Sequence, residues 1–555
     1  MNLYNLGLSG LAASQARLNT VGHNIANADT EGYNRQRVIV STAGGMATST
    51  GFFGRGVLVD TVQRSYDGFL YKQLTFAQTN GAATVAYGNQ ISQVNNLLSD
   101  DTVGIGPALL NFFKGTQAVA SSPADPAARQ DLIGQANSLV TQIKETNAFL
   151  QNQREGLNNQ IGTTVTQINS YVDRINDLNQ QITTAKASAN GQPPNDLYDQ
   201  RDQLVAELNQ MVKVNVVEQG NSFNLTVGNG QVVLSGTTVF PLKAVASAAD
   251  PTRTVVAFTV PGNEPGETIA VELKDGQLSG GRLGGLLDYR ANSLDVIQND
   301  LGRMAMGLAL AYNEQHRQGL DANGRPGGDF FSVTNPSALS NEKNTGNQTI
   351  GAEFSDVSGL TGSDYNISYD GANYEIKRMP GGTVLYSGDG SELSATPPQL
   401  IDGLQINLGT GTPAAGDSWV LQPTRNAARD LDIAITDPAR IAAADAAGGS
   451  ANGNNMLKLA ELQTKKILGN GTMSINESFS QIVNKVGVQA AANGTAAKAQ
   501  ANLIEQNYAA QQAVSGVNLD EEYINLDRFM QQYQASSRLI EVGSQLFDTL
   551  LGLRT

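Results

Sequence analysis

His23 and His316 are the only two histidines in this 555-residue chain, and so the only side chains whose ordinary pKa suits proton transfer near neutral pH. Neither lies at relay or metal-ligand spacing from a carboxylate cluster in the sequence. There is no cysteine, which excludes disulfides, thiol nucleophiles and cysteine-ligated zinc. No H-E-x-x-H, G-x-S-x-G or P-loop pattern occurs. The stretch "DANGRPGGD" (321–329) approaches a calcium loop. Its sixth position is Pro326, where the sharp turn needs glycine, and its twelfth is Ser332, where a bidentate glutamate belongs. A tight connection is the better reading there. Trp419 in "DSWVLQP" reads as β-domain core. No cofactor and no metal are expected, and an enzyme is the weakest reading of the chain.

Charge narrows the partners. The net charge is −15 with no Lys/Arg cluster. Nucleic-acid binding needs a basic stripe to displace counterions, so no nucleic acid is expected, nor an anionic membrane surface. No apolar run approaches the ~18–20 residues of a membrane span, so no membrane insertion is expected. The N-terminal stretch lacks the basic, apolar and cleavage regions of a Sec signal, so secretion would proceed without a cleaved signal peptide. Charged residues are 16% and glycine is abundant, giving polar, weakly charged faces that can pack side by side.

With no catalytic constellation to position, the elements themselves carry the information. At 555 residues several domains are expected. Residues Tyr4, Gly7, Leu11, Ser14, Leu18, Val21, Ile25 and Ala28 step by three and four, a narrow helical seam. A turn follows at 29–32, then extended sequence over 37–41 and a Gly-rich loop to Gly56. Helix is expected over 66–98, 108–120 and 126–187. In the last, Leu139, Ile143, Leu150, Leu157, Ile161, Ile168, Ile175 and Ile182 form a coiled-coil seam with one stutter, with a possible break near Gly156 or Gly162. Helix resumes over 197–211. Alternating segments fill 212–273 and read as strands. Helix returns over 281–318, and a second β region spans 349–423. Its clearest unit is the hairpin "YNISYDGANYEIKR" turning at Asp370-Gly371. From 428 onward the chain reads mostly as helix. Its end carries Leu519, Tyr523, Leu526, Met530, Tyr533, Ser537, Ile540, Ser544, Phe547 and Leu551 in unbroken 4-3 alternation. The outer face holds Asp520, Glu521, Glu522, Asp527, Glu541 and Asp548. Each stripe residue left exposed forfeits ~1.5–3 kcal/mol of burial, so the ends either dock on the chain's own core or pair and pack against other subunits.

The fold expected is α+β multidomain: a terminal α-helical coiled-coil layer, an elongated helical-bundle body and two inserted β-rich domains. The terminal unit takes 1–50 with 515–555. The body takes 51–211, 281–345 and 426–514. The β domains take 212–280 and 346–425.

"ANADTEGYNRQ" (26–36) resembles the A-N-x-x-T-x-G-Y signature of the flagellar rod, hook and hook-associated axial proteins. Ala26, Asn27, Thr30, Gly32 and Tyr33 match it. The C-terminal "SGVNLDEEYINLDRFMQQYQASSRLIEVGSQLFDTLLGLR" is similar to the family's other end. "DLYDQRDQLVAELNQMVKV" (196–214) and "GLDANGRPGGDFF" (319–331) resemble the hook–filament junction members, in an order and length that cover nearly the whole chain. The resemblance implies a structural subunit between hook and filament, exported by the flagellar type III apparatus and located outside the cell. Implied partners are the hook protein, hook-associated protein 3, copies of itself in a ring or helical layer, and a FlgN-type export chaperone. The implied N-terminal assembly interface is Leu11, Leu18, Val21, Ile25, Ala26, Asn27, Thr30, Gly32 and Tyr33. The C-terminal assembly or chaperone interface is Leu519, Tyr523, Leu526, Met530, Tyr533, Ile540, Phe547 and Leu551. Alternatives are another axial protein, hook-like or flagellin-like, or a secreted adhesin.

Overall fold

The computed structural model describes residues 3–49, 51–99, 104–219, 222–261 and 268–552. It is an α+β multidomain protein organised around one long helix. That helix, α4 (Pro126–Ser188), follows α1 (Leu3–Ala26), α2 (Gly68–Leu98) and α3 (Ile105–Ser121). It runs 63 residues without a break at Gly156 or Gly162, which at 1.5 Å per residue is ~95 Å. Asp125 caps it by accepting from the Ala127 amide at 2.9 Å, and Pro126 fits the first turn because its missing N–H would have no partner there. All eight apolar residues of its expected seam are buried.

The seam is covered from within the chain. α3, α5 (Asn195–Met211), α6 (Gly281–Tyr289) and α7 (Asp295–Arg317) pack on α4. A π-helical turn, Arg290–Leu294, joins α6 to α7. Leu283, Leu287, Leu294, Ile297, Leu301, Met304 and Leu308 are buried on either side of it. The coiled-coil pattern of α4 is thus satisfied by an intrachain bundle.

The two β regions differ. The first forms a four-stranded antiparallel meander, Val214–Gln219, Ser222–Val227, Gln231–Ser235 and Thr238–Val239. Beside it lies a three-stranded sheet with Thr254–Pro261 in the centre. Phe223, Leu225, Leu234 and Val256 belong to the same continuous core as the helices. Asn169 of α4 holds Leu242 through both backbone groups, donating to its carbonyl at 2.8 Å and accepting from its amide at 2.9 Å. The second region builds its own core from a five-stranded and a three-stranded antiparallel sheet. Trp419 lies inside it, donating to the Gln348 carbonyl at 3.1 Å. The hairpin pairs Tyr369 with Tyr374, so its loop has four residues, closed by the Asp370 carboxylate accepting from the amides of Ala372 and Asn373 at 2.8 and 2.7 Å.

One expectation is corrected and another is refined. Residues 42–56 are not a plain loop. β1 (Gln36–Thr42) pairs with β4 (Val57–Arg64), and β2 (Gly45–Thr48) with β3 (Gly51–Gly54), making a long hairpin arm. β2 and β3 are exposed on both faces, so no alternation marked them. The stretch after residue 428 is mostly helix, as expected, but the helix is concentrated at its end. Short elements alone, α8 (Ala427–Asp430), a two-residue strand at Asp432–Ile433, a 3-10 turn at Pro438–Arg440 and α9 (Asn454–Glu461), interrupt irregular chain before α10 (Ile475–Ser515) and α11 (Leu519–Gly552). A Ser474–Glu477 capping box starts α10.

A buried ion network locks these parts together. Asp295 of α7 pairs with Arg154 of α4 at 2.6 Å, Arg253 of the first β region at 2.9 Å and Arg425 at 3.2 Å. Arg425 also pairs with Asp364 of the second β region. Burial works against the Asp295 charge, but Arg425, Arg154 and Arg253 together hold its carboxyl far below the usual range.

Candidate assembly interface

The signature corner is built as its residue types require. At the end of α1 the Asn27 side chain donates to the His23 carbonyl at 2.9 Å, and the Thr30 hydroxyl donates to Asn27 Oδ1 at 3.3 Å. The Thr30 amide closes the turn onto the Asn27 carbonyl at 3.0 Å. Gly32 has φ +79°, the left-handed region, and a Cβ there would lie 2.9 Å from Gln203 Oε1. Tyr33 is half-buried and donates to Asn24 Oδ1 at 2.7 Å. Burial first, then Asp196, Asp199 and Glu522, push its phenol well above the ordinary value.

The centre of this corner is Asn24, which the sequence reading passed over. It is 1% exposed. Its amide donates to the Gln36 carbonyl at 2.9 Å and to Glu522 at 3.0 Å, and its Oδ1 also accepts from the Gln36 amide at 2.9 Å. With Tyr33, all four of its hydrogen-bonding positions are used. The available signal was a polar residue three positions beyond the buried Gly7, Ser14 and Val21, on the same face.

The corner then clasps the body. Asn34 donates to Asp199 of α5 through its amide at 3.0 Å and its side chain at 2.6 Å. Arg64 of β4 bridges Asp199 and Asp202, each at 2.8 Å. Gln36 reaches Asp196 at 2.7 Å, and His23 approaches the same carboxylate at 3.2 Å. His23 therefore has a carboxylate neighbour that its sequence surroundings did not reveal. Burial raises the Asp199 carboxyl against the pull of Asn34 and Arg64. The two most distinctive segments of the sequence, 26–36 and 196–214, meet each other here. His316 is buried and serves packing: its Nδ1 faces the Gly328 carbonyl at 2.7 Å, and its Nε2 accepts from the Ala442 amide at 2.8 Å. Asp321 accepts from the amides of Asn323 and Arg325, both at 2.8 Å, to close the 321–329 loop.

The chain's two ends pair antiparallel. Tyr4 lies against Gly543, Gly7 against Ile540 and Gly10 against Ser536, and a Cβ on Gly7 would stand 2.8 Å from the Ile540 side chain. Further along, Arg17 donates to Gln532 at 3.2 Å, and Arg35 pairs with Glu522 at 2.6 Å and Glu521 at 3.0 Å. Glu522, expected on the outer face, is instead 1% exposed and fully engaged. Along α1 and the corner after it, Val21 is buried, while Leu11, Leu18, Ile25, Asn27 and Tyr33 are half-buried and Ala26, Thr30 and Gly32 exposed. Along α11, Leu526, Tyr533 and Ile540 are half-buried beside α1. Leu519, Tyr523, Met530, Phe547 and Leu551 are exposed, Tyr523 at 56% and Phe547 at 57%. The row facing α1 is thus turned one residue from the apolar stripe, and most of the stripe points outward.

Among the described residues no group of three or more His, Asp or Glu could hold a metal ion, and no helix is long and apolar enough to cross a membrane.

Family models match four stretches of the chain. The helical domain of flagellar hook-associated protein FlgK matches residues 91–331, and the D2-like domain of flagellar hook-associated protein 1 matches 339–423. The flagella basal body rod protein model matches 5–34, and the C-terminal model of the rod FlgEFG proteins matches 510–553. Flagellar hook-associated protein 1 of Escherichia coli is 39% identical over 559 residues, covering all of both chains. The Bacillus subtilis protein of that name is 25% identical over 98% of this chain and 96% of its own. The solved flagellar hook junction protein FlgK of Burkholderia pseudomallei superposes with TM-score 0.73 at 30% identity, over 80% of this chain and all of that one. Identity at this level over the full length of both chains places the chain in the flagellar hook-associated protein 1 family.

Proposed function

We propose that the chain is a structural, non-catalytic subunit of the bacterial flagellum, forming the junction layer next to the hook and linking it to the filament through hook-associated protein 3. The carrying observation is the apolar stripe of α11, most of which stays outside even after α11 has paired with α1. Exposed apolar rows of this extent mark association surfaces. Leu519, Tyr523, Met530, Phe547 and Leu551 make the subunit contacts in this reading, with Leu526, Tyr533 and Ile540 shared with α1. On the N-terminal side Leu11, Leu18, Val21 and Ile25 shape the partner helix, and the Ala26–Tyr33 corner sets its angle.

The division into a terminal unit (1–50, 515–555), a helical body and β regions at 212–280 and 346–425 orders the layers from the axis outward. The hook protein lies below, hook-associated protein 3 above, and further copies beside. Export follows the flagellar type III route, with a FlgN-type chaperone covering the C-terminal stripe beforehand. Polar, weakly charged side faces allow the sliding that buffers a bending hook against a stiff filament.

The test is a triple Tyr523→Ser, Met530→Ser, Phe547→Ser variant. The purified monomer should melt as the parent does, and the purified variant, added to hooks that lack the subunit, should not be retained where the parent is. Normal retention and swimming would contradict the reading.

A further inference from the structure

The pairing of α1 with α11 uses only one of the rows along α11, and the two left over differ in charge. Successive residues turn by about 100° around a helix. The row facing α1 runs through Glu522, Phe529, Ser536 and Gly543, marked by Asn24, Arg17, Gly10 and Tyr4 opposite them. One flank carries Asp527, Glu541 and Asp548 beside Tyr523 and Met530, all exposed. Its one base is Arg538. Among the described residues none of these three carboxylates has an ion-pair partner; Asp527 accepts only from Gln531, at 2.9 Å.

The other flank is basic. Arg528, Arg17 of α1 and Arg37 of β1 surround a shallow recess together with Arg35. Glu521 and Glu522 take the charge of Arg35. No carboxylate among the described residues lies within ion-pair distance of the other three. Two are nevertheless held in place: the Phe529 ring carries the Arg17 guanidinium at 5.3 Å and that of Arg528 at 4.9 Å. Guanidiniums ordered on one ring, without a counter-charge, form a prepared seat for carboxylates. In a chain of net charge −15, copies repel at long range unless unlike patches face each other.

We infer that neighbouring copies of the α1–α11 rod pack flank to flank, the Asp527–Glu541–Asp548 row of one seated on the Arg17–Arg37–Arg528 recess of the next. This rests on the assembly reading above and adds its polarity. The contact is heterologous, so each copy offers one flank of each kind, and the series closes into a ring or continues as a helix.

Charge reversal tests it. One variant carries Arg17→Glu with Arg528→Glu, a second Asp527→Lys with Glu541→Lys, and a third all four changes. Melting of the purified monomers checks that the fold is kept. The count is copies retained on hooks against copies released to the medium. Each double reversal should lower retention about tenfold or more, because it sets like charges face to face. The fourfold swap should restore it. Wild-type retention by the double variants would overturn the flank pairing. So would a fourfold variant as defective as its parents, since the arginines would then face some other subunit. If the reversals assemble normally while the apolar triple variant fails, the flank pairing falls and the assembly reading stands; if both assemble normally, both fall.

Discussion

α4 and α11 both carry apolar rows at heptad spacing, and the rows meet opposite fates. From Leu139 to Ile182 the α4 row is buried throughout, because α3, α5, α6, α7 and the first β region surround it. α11 has one long partner, the 24-residue α1. Gly7 and Gly10 let that partner approach closely, but they cover little, and Tyr523, Met530 and Phe547 remain in solvent. Periodicity locates an apolar row; the neighbours available in the same chain decide whether it is core or contact surface.

That contrast can be broken at graded cost. The largest effect should come from the charge hub of the body. Asp295→Asn leaves Arg154 and Arg425 buried against a neutral group and should cost about 3–5 kcal/mol, read as a lower midpoint in denaturant unfolding. Leu157→Ala on the α4 row should cost about 2–5 kcal/mol in the same measurement. A stripe change such as Phe547→Ser should leave the monomer's midpoint where it was. Asn24→Ala should cost about 1–3 kcal/mol, felt only locally: the Gln36 amide and the buried Glu522 each lose a partner. Faster amide exchange in α1 and the first turns of α11, with α4 unchanged, would show it.

The smallest effect is on pH. Burial lowers the His316 pKa, so the folded ring stays neutral while the unfolded chain takes a proton near pH 6.5. Its contribution is therefore complete above about pH 6.5 and lost as pH falls, at no more than about 1.4 kcal/mol per pH unit. Asp295, held low in the fold, follows only below about pH 4. Burial raises Asp364 and Asp199, whose cost is relieved on acidification. The decline should be clearest between about pH 6.5 and 5, in thermal melts of the monomer, and His316→Gln should flatten it.

The legible parts of the sequence were those written locally. The α4 and α7 rows, the left-handed Gly32 and the Asn27–Thr30 turn each depend on residues within a turn or two. The hairpin arm was illegible because Met46, Phe52 and Phe53 are exposed on a ribbon with no buried face, so no alternation is imposed. The first β region read as an insertion, but strand alternation does not say which core its inner face joins. The clasp was illegible for another reason. Asn24 and Glu522 stand 498 positions apart, and Asn34 and Asp199 stand 165 apart. Glu522 shows the same limit: helical spacing put it outside, and Arg35 draws it in.

The most direct test of the central claim is hydrogen exchange on the purified monomer and again on assembled flagella. The account predicts that amides of 3–26 and 519–552 exchange much faster than those of α4 in the monomer, then become protected on assembly. Equal protection of both regions in the lone monomer would mean that the terminal rows are core after all, and would contradict it.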